Sequence, residues 1–77
     1  MKLEQIVAST LEIPVDRVTD DLSLDTCAEW TSLAHLALIS ALEAGYATDF
    51  DIEESIEMDS VGAIRAVLEN KGIAVDE

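Results

Sequence analysis

The chain is poor in positive charge. Its 77 residues hold four Lys and Arg against seventeen Asp and Glu, a formal net charge of −13. Phosphate backbones are bound through Lys and Arg, so nucleic acid is excluded as a partner class. An anionic membrane surface is disfavoured for the same reason. One cysteine, Cys27, rules out an intrachain disulfide framework and fits a reducing compartment. One proline and three glycines leave few breaks in the chain. No apolar run approaches the roughly 20 residues of a membrane span, and "MKLEQIVAST" lacks the apolar core of a signal peptide. The chain reads as cytoplasmic, with no membrane insertion.

What is present is a globular composition. Apolar residues make up 49%, too many for a disordered chain. The length allows a single domain, residues 1–77, with little room for a deep catalytic cleft. The acidic surface points to basic protein surfaces as partners, with electrostatic steering of encounter.

Helical spacing dominates. Leu3, Ile6, Val7 and Leu11 form one stripe, and Ile13-Pro14 closes a helix spanning Lys2–Glu12. "SLAHLALISALEAGY" predicts a helix over Ser32–Tyr46, and "DIEESIEM" a short one over Ile52–Glu57. In "DSVGAIRAVLENKG", Asp59 or Ser60 can cap the last helix, Val61, Ile64 and Leu68 form its stripe, and Gly72 suits a left-handed C′ position. The connection from Pro14 to Thr31 is too long for a bundle turn. Its Val15, Val18, Leu22, Leu24 and Trp30 require that it pack as an ordered loop. The fold class is all-α: a four-helix bundle of three main helices and one short one, with a long first connection.

The second helix is apolar on nearly every side. Leu38, Ile39, Leu42 and Tyr46 share a face that should be core, while Leu33, Leu36, Ala37, Ser40 and Ala44 lie elsewhere. So small a bundle cannot enclose it fully. Either Leu33 and Leu36 pack under the loop, or they form an exposed stripe for a partner. Its start, "EWTSLAHL", carries two hydroxyls where a cap needs one. Thr31 as N-cap leaves Ser32 as the first helical residue, where a negative group attached to its side chain meets the positive end of the helix dipole. Ordinary capping by Ser32 is the plainer alternative.

Taken together, these features resemble the acyl carrier protein family, which includes peptidyl and aminoacyl carriers. The family's Asp-Ser-Leu at the start of the second helix corresponds to Thr31-Ser32-Leu33. "VTDDLSLDTCAEWTSL" is similar to the family's loop, "ALEAGYATDFDIEE" to the end of its second helix and its acidic short helix, and "MDSVGAI" to the start of its last helix. The resemblance covers nearly the whole chain. It implies that a phosphopantetheinyl transferase moves 4′-phosphopantetheine from coenzyme A onto Ser32. The arm's thiol would then hold an acyl or aminoacyl group as a thioester. It implies a carrier, not an enzyme, read as a monomer, that meets loading, condensing or transferase enzymes of fatty-acid, polyketide or related secondary-metabolite synthesis. It assigns partner contacts to Thr31, Leu33, Leu36, Ala37, Ser40, Glu43, Glu53 and Glu54. It assigns the lining of an acyl pocket to Ile39, Leu42, Tyr46, Ser55 and Met58. Two departures stand out: Thr31 replaces the family's Asp, and alanines replace much of the second helix's acidic face. Trp30 with "SLAHL" looks more like specialised stand-alone carriers than a housekeeping one.

Other chemistries fit less well. Ser32 and His35, at i and i+3, lack an evident orienting group or oxyanion hole. His35 reads instead as a contact to the arm or a surface residue. "DFDIEESIEMDS" sets acidic or hydroxyl residues at calcium-loop spacing, but Glu54 stands where the turn wants Gly and Ser60 where a bidentate Glu is needed. No metal site is expected. Cys27 lies among acidic neighbours that do not activate a thiol, and reads as packing. The competing function is an unmodified acidic helical adaptor that binds through Leu33 and Leu36 alone.

Overall fold

A computed structural model describes residues 3–75. It contains four α-helices: α1 Leu3–Leu11, α2 Ser32–Tyr46, α3 Ile52–Glu57 and α4 Val61–Asn70. A 3-10 turn, Val15–Arg17, lies in the first connection. Among the described residues there is no strand, only an isolated bridge between Ser23 and Ser60. None of these helices is long and apolar enough to cross a membrane.

The stripes predicted on α1 and α4 are buried: Leu3, Ile6, Val7 and Leu11 share one core with Val61, Ile64 and Leu68, and Val67 of α4 joins them. From α2 only Leu38 and Leu42 are fully enclosed, while Ile39 and Tyr46 are half-buried against that core. Gly45 lets α1 and α2 approach closely, since a Cβ there would stand 2.9 Å from Ile6 Cδ1. α1 ends at Leu11, one residue before the expected Glu12, which has already turned left-handed at φ 57°. Lys2, placed in this helix by its pattern, lies outside the described residues. Ser60, not Asp59, caps α4, its Oγ accepting from the Ala63 N–H. Gly72 takes the left-handed conformation just past the helix, at φ 80°.

The long connection is ordered by its backbone. Leu22 and Asp20 offer their carbonyls to the N–H groups of Val61 and Gly62, the free donors in the first turn of α4. Leu24 N–H in turn donates to the Asp59 carbonyl. Arg65 adds a clamp, reaching Glu4 at 2.7 Å and Asp20 at 3.3 Å. Val18, Leu22, Cys27 and Trp30 pack inward as expected. Val15 and Leu24 do not: both remain exposed, Val15 in the 3-10 turn and Leu24 at the rim of a cavity described below.

Candidate functional site

Thr31 and Ser32 divide the start of α2 between them. Thr31 is extended, with φ −84° and ψ 174°, and its Oγ1 accepts from the Ala34 N–H at 3.1 Å. Its carbonyl accepts from His35 N–H at 2.8 Å. Ser32 opens the helix, is exposed, and makes no side-chain hydrogen bond among the described residues. The N–H groups of Ser32 and Leu33 also find no acceptor there. A hydroxyl free of structural duty thus stands beside two open donors at the positive end of a 15-residue helix.

Ser32 borders a cavity of about 410 Å³ between the long connection, α2 and α3. Leu24, Trp30, Leu36 and Ile56 supply its apolar lining, and Ser55 and Asp59 also border it. A hydrogen-bonded chain crosses this region. The buried Trp30 donates its indole Nε1–H to His35 Nδ1 at 3.0 Å. His35 Nε2 lies 2.9 Å from the Ser55 carbonyl oxygen. An indole only donates and a carbonyl only accepts, so the imidazole is in its Nε2–H tautomer. Both ring nitrogens are therefore occupied, and neither has a lone pair for the Ser32 hydroxyl. In this arrangement His35 does not form a Ser–His pair with Ser32.

The loop before the site carries an ion pair. Arg17 meets Glu29 through two hydrogen bonds, of 3.1 and 3.2 Å. The guanidinium's hydrogen bond, then the Glu29 backbone N–H and the Cys27 thiol, hold the Glu29 carboxyl down to about 2 from its ordinary 4.5. The same hydrogen bond raises Arg17. Cys27 is buried and donates to Glu29 at 3.5 Å, consistent with a packing role. Among the described residues every Lys and Arg is paired: Arg17 with Glu29, Arg65 with Glu4 and Asp20, Lys71 with Glu54. The surface around the site offers uncompensated carboxylates and no free cation among these residues.

Most residues assigned to partner contact lie on the surface beside Ser32. Leu33 is 80% and Leu36 64% exposed, with Thr31, Ala37 and Ser40 exposed along the same helix and Glu53 on α3. Burial under the loop, one of the two readings of Leu33 and Leu36, does not occur. Glu43 and Glu54 are engaged within the fold. Glu43 accepts from the Phe50 N–H. Glu54 closes a capping box with Asp51 and pairs with Lys71. The structure adds Ile52 and Ile56 of α3, which are 78% and 70% exposed. Their i, i+4 spacing was the available signal, but no pattern in six residues says which face meets the core.

The residues assigned to an acyl pocket separate. Ser55 lines the cavity beside Ser32. Leu42 and Met58 are fully enclosed in the core, Ile39 is half-buried against it, and Tyr46 turns its hydroxyl to the Val75 carbonyl. His35, expected as a contact to the arm or a surface residue, lines the cavity, and Trp30, Leu24 and Asp59 line it with no sequence signal placing Leu24 or Asp59 there. No group of three or more His, Cys, Asp or Glu among the described residues is arranged to hold a metal. No family model matches the chain, and no match to a curated protein is found.

Proposed function

We propose that this protein is a carrier whose Ser32 hydroxyl is esterified by 4′-phosphopantetheine, donated from coenzyme A by a phosphopantetheinyl transferase. The observation that carries the reading is the division of labour at the start of α2. Thr31 does the capping, and Ser32 is left exposed with no partner among the described residues. The resemblance of the surrounding sequence to acyl carrier proteins supplies the identity of the group.

The residues present fit such an arm. A phosphodiester on Ser32 would meet the open N–H groups of Ser32 and Leu33, an interaction worth about 0.3–1 kcal/mol at an exposed helix end. The uncharged Thr31 cap adds no repulsion, and Arg17 offsets the nearby Glu29. When bound, the arm supplies a thiol that carries acyl or aminoacyl groups as thioesters. The chain itself anchors the arm and presents a docking face to the enzymes that load and unload it. That face is Leu33, Leu36 and Ala37 on α2 with Ile52 and Ile56 on α3. It is rimmed by carboxylates, so apolar partner surfaces edged with Lys or Arg suit it.

The same exposed face supports the second reading, an unmodified acidic adaptor. Incubation with coenzyme A, magnesium and a broad-specificity transferase separates the two by intact mass. The carrier gains one phosphopantetheine on the wild type and none on Ser32→Ala. No gain with several transferases would leave the adaptor.

A further inference from the structure

The chain has one histidine and one tryptophan, and the fold joins them. Trp30 is only 3% exposed, so its indole N–H depends on a protein acceptor. That acceptor is His35 Nδ1, at 3.0 Å. The rings meet edge to edge, their planes 27° apart, as an in-plane hydrogen bond requires. His35 donates its own N–H to the Ser55 carbonyl at 2.9 Å. The indole is therefore satisfied only while Nδ1 keeps its lone pair. Imidazole is the side chain whose ordinary titration removes that lone pair between about pH 8 and 5.

Charging the ring acts on one of its two bonds. Both nitrogens then carry N–H. The Ser55 carbonyl accepts from either form, so the bond to α3 is common to both states. The bond from Trp30 is not, because two N–H groups would then point at each other, and a buried donor is left without an acceptor. The release falls on the long connection, one residue ahead of the Thr31 cap and two ahead of Ser32.

The charges around the ring leave this effect in place. Among the described residues that border the cavity with His35, Asp59, between α3 and α4, is the only carboxylate, and no Lys or Arg borders it. On the long connection, Glu29 is paired with Arg17, and Asp25 does not border the cavity. On α3, Glu54 is paired with Lys71, while Glu53 and Glu57 do not border it. On α2, Glu43 accepts from the Phe50 N–H. A charged imidazole thus shares the cavity with one carboxylate, Asp59, while the indole loses its acceptor.

We propose that His35 is a pH-sensitive tether of the segment that precedes Ser32. Neutral, it holds the Trp30 indole; protonated, it lets the indole go and keeps its bond to Ser55. The tether is a property of the fold and stands whether or not Ser32 is modified.

The test follows two resonances of the full chain by NMR, the single indole N–H and the single imidazole C–H, from about pH 8 to about 5. The amides of Ile64 and Leu68 in α4 report the core. His35→Gln is the comparison, since its amide offers an acceptor to Trp30 and a donor to Ser55 and does not titrate. The indole N–H should move with the same midpoint as the imidazole, while the α4 amides hold their positions. In His35→Gln the indole should show no such midpoint. At about pH 5 the wild-type indole N–H should exchange with water about tenfold faster than in His35→Gln, the loss of roughly one hydrogen bond. At about pH 8 the two should exchange alike. Four results overturn the proposal: an imidazole that titrates while the indole stays fixed, the same indole midpoint in His35→Gln, α4 amides that move with the indole, or a ring still neutral at about pH 5. If His35→Gln does not fold, the wild-type titration decides alone. A shared midpoint with α4 fixed supports the tether, and separate midpoints overturn it.

Discussion

Removing the Thr31 hydroxyl should destabilise the fold, and removing the Ser32 hydroxyl should not. Thr31 Oγ1 satisfies the Ala34 N–H, one of the free donors at the start of α2. Loss of an N-cap hydroxyl costs about 1 kcal/mol, within a range of roughly 0.5–2. The unfolding entropy, about 2.1 cal/mol/K per residue, converts that cost over 77 residues into a Tm lower by about 6 °C. Ser32→Ala removes an exposed hydroxyl with no partner among the described residues, so its effect should lie within about 0.5 kcal/mol. Thermal unfolding of Thr31→Ala, Ser32→Ala and the wild type, followed by far-UV circular dichroism, makes the comparison. Thr31→Ser should retain most of the stability, since serine caps as well as threonine. If Ser32→Ala loses as much as Thr31→Ala, Ser32 is part of the cap. The division of labour behind the proposed function then fails.

Leu36→Asp should unfold within about 0.5 kcal/mol of the wild type, because Leu36 lies largely in solvent. The same variant should slow partner-dependent loading of the arm, and a loss of helical signal would show that Leu36 supports the core. Leu42→Ala, at a fully enclosed position, should cost about 2–5 kcal/mol in urea unfolding. Glu29 titrates at about 2 in the fold against an ordinary 4.5. Its contribution to stability is therefore complete above about 4.5 and is lost as pH falls from there to about 2. Arg17→Ala should move the Glu29 carboxyl titration, read by carbon NMR, back up toward 4.5; an unmoved midpoint would show that the guanidinium is not the cause.

Local patterns carried most of the fold. The bounds of α2 follow from its cap and its apolar run, and Gly72 marks the end of α4 as its conformational freedom predicts. Glu12 was less legible, because nothing in its side chain announces a left-handed turn. Choosing between Asp59 and Ser60 as the cap of α4 needed the path of the loop, whose carbonyls reach Val61 and Gly62 from about forty residues away. At the site, the paired hydroxyls were visible in "WTSL" because capping is a local rule. The Trp30–His35–Ser55 chain was not, since its last link joins residues twenty apart that only tertiary packing brings together. The acidic residues illustrate the same limit. Glu43 and Glu53 look alike in sequence, yet Glu43 is spent on the Phe50 N–H and Glu53 remains on the surface.

Fragment-ion mapping of the product formed with coenzyme A and a phosphopantetheinyl transferase tests the central claim most directly. The account predicts a single phosphopantetheine on the Ser32 side chain, with Thr31 unmodified. An unmodified chain under conditions that load a control carrier, or modification at another hydroxyl, would contradict it.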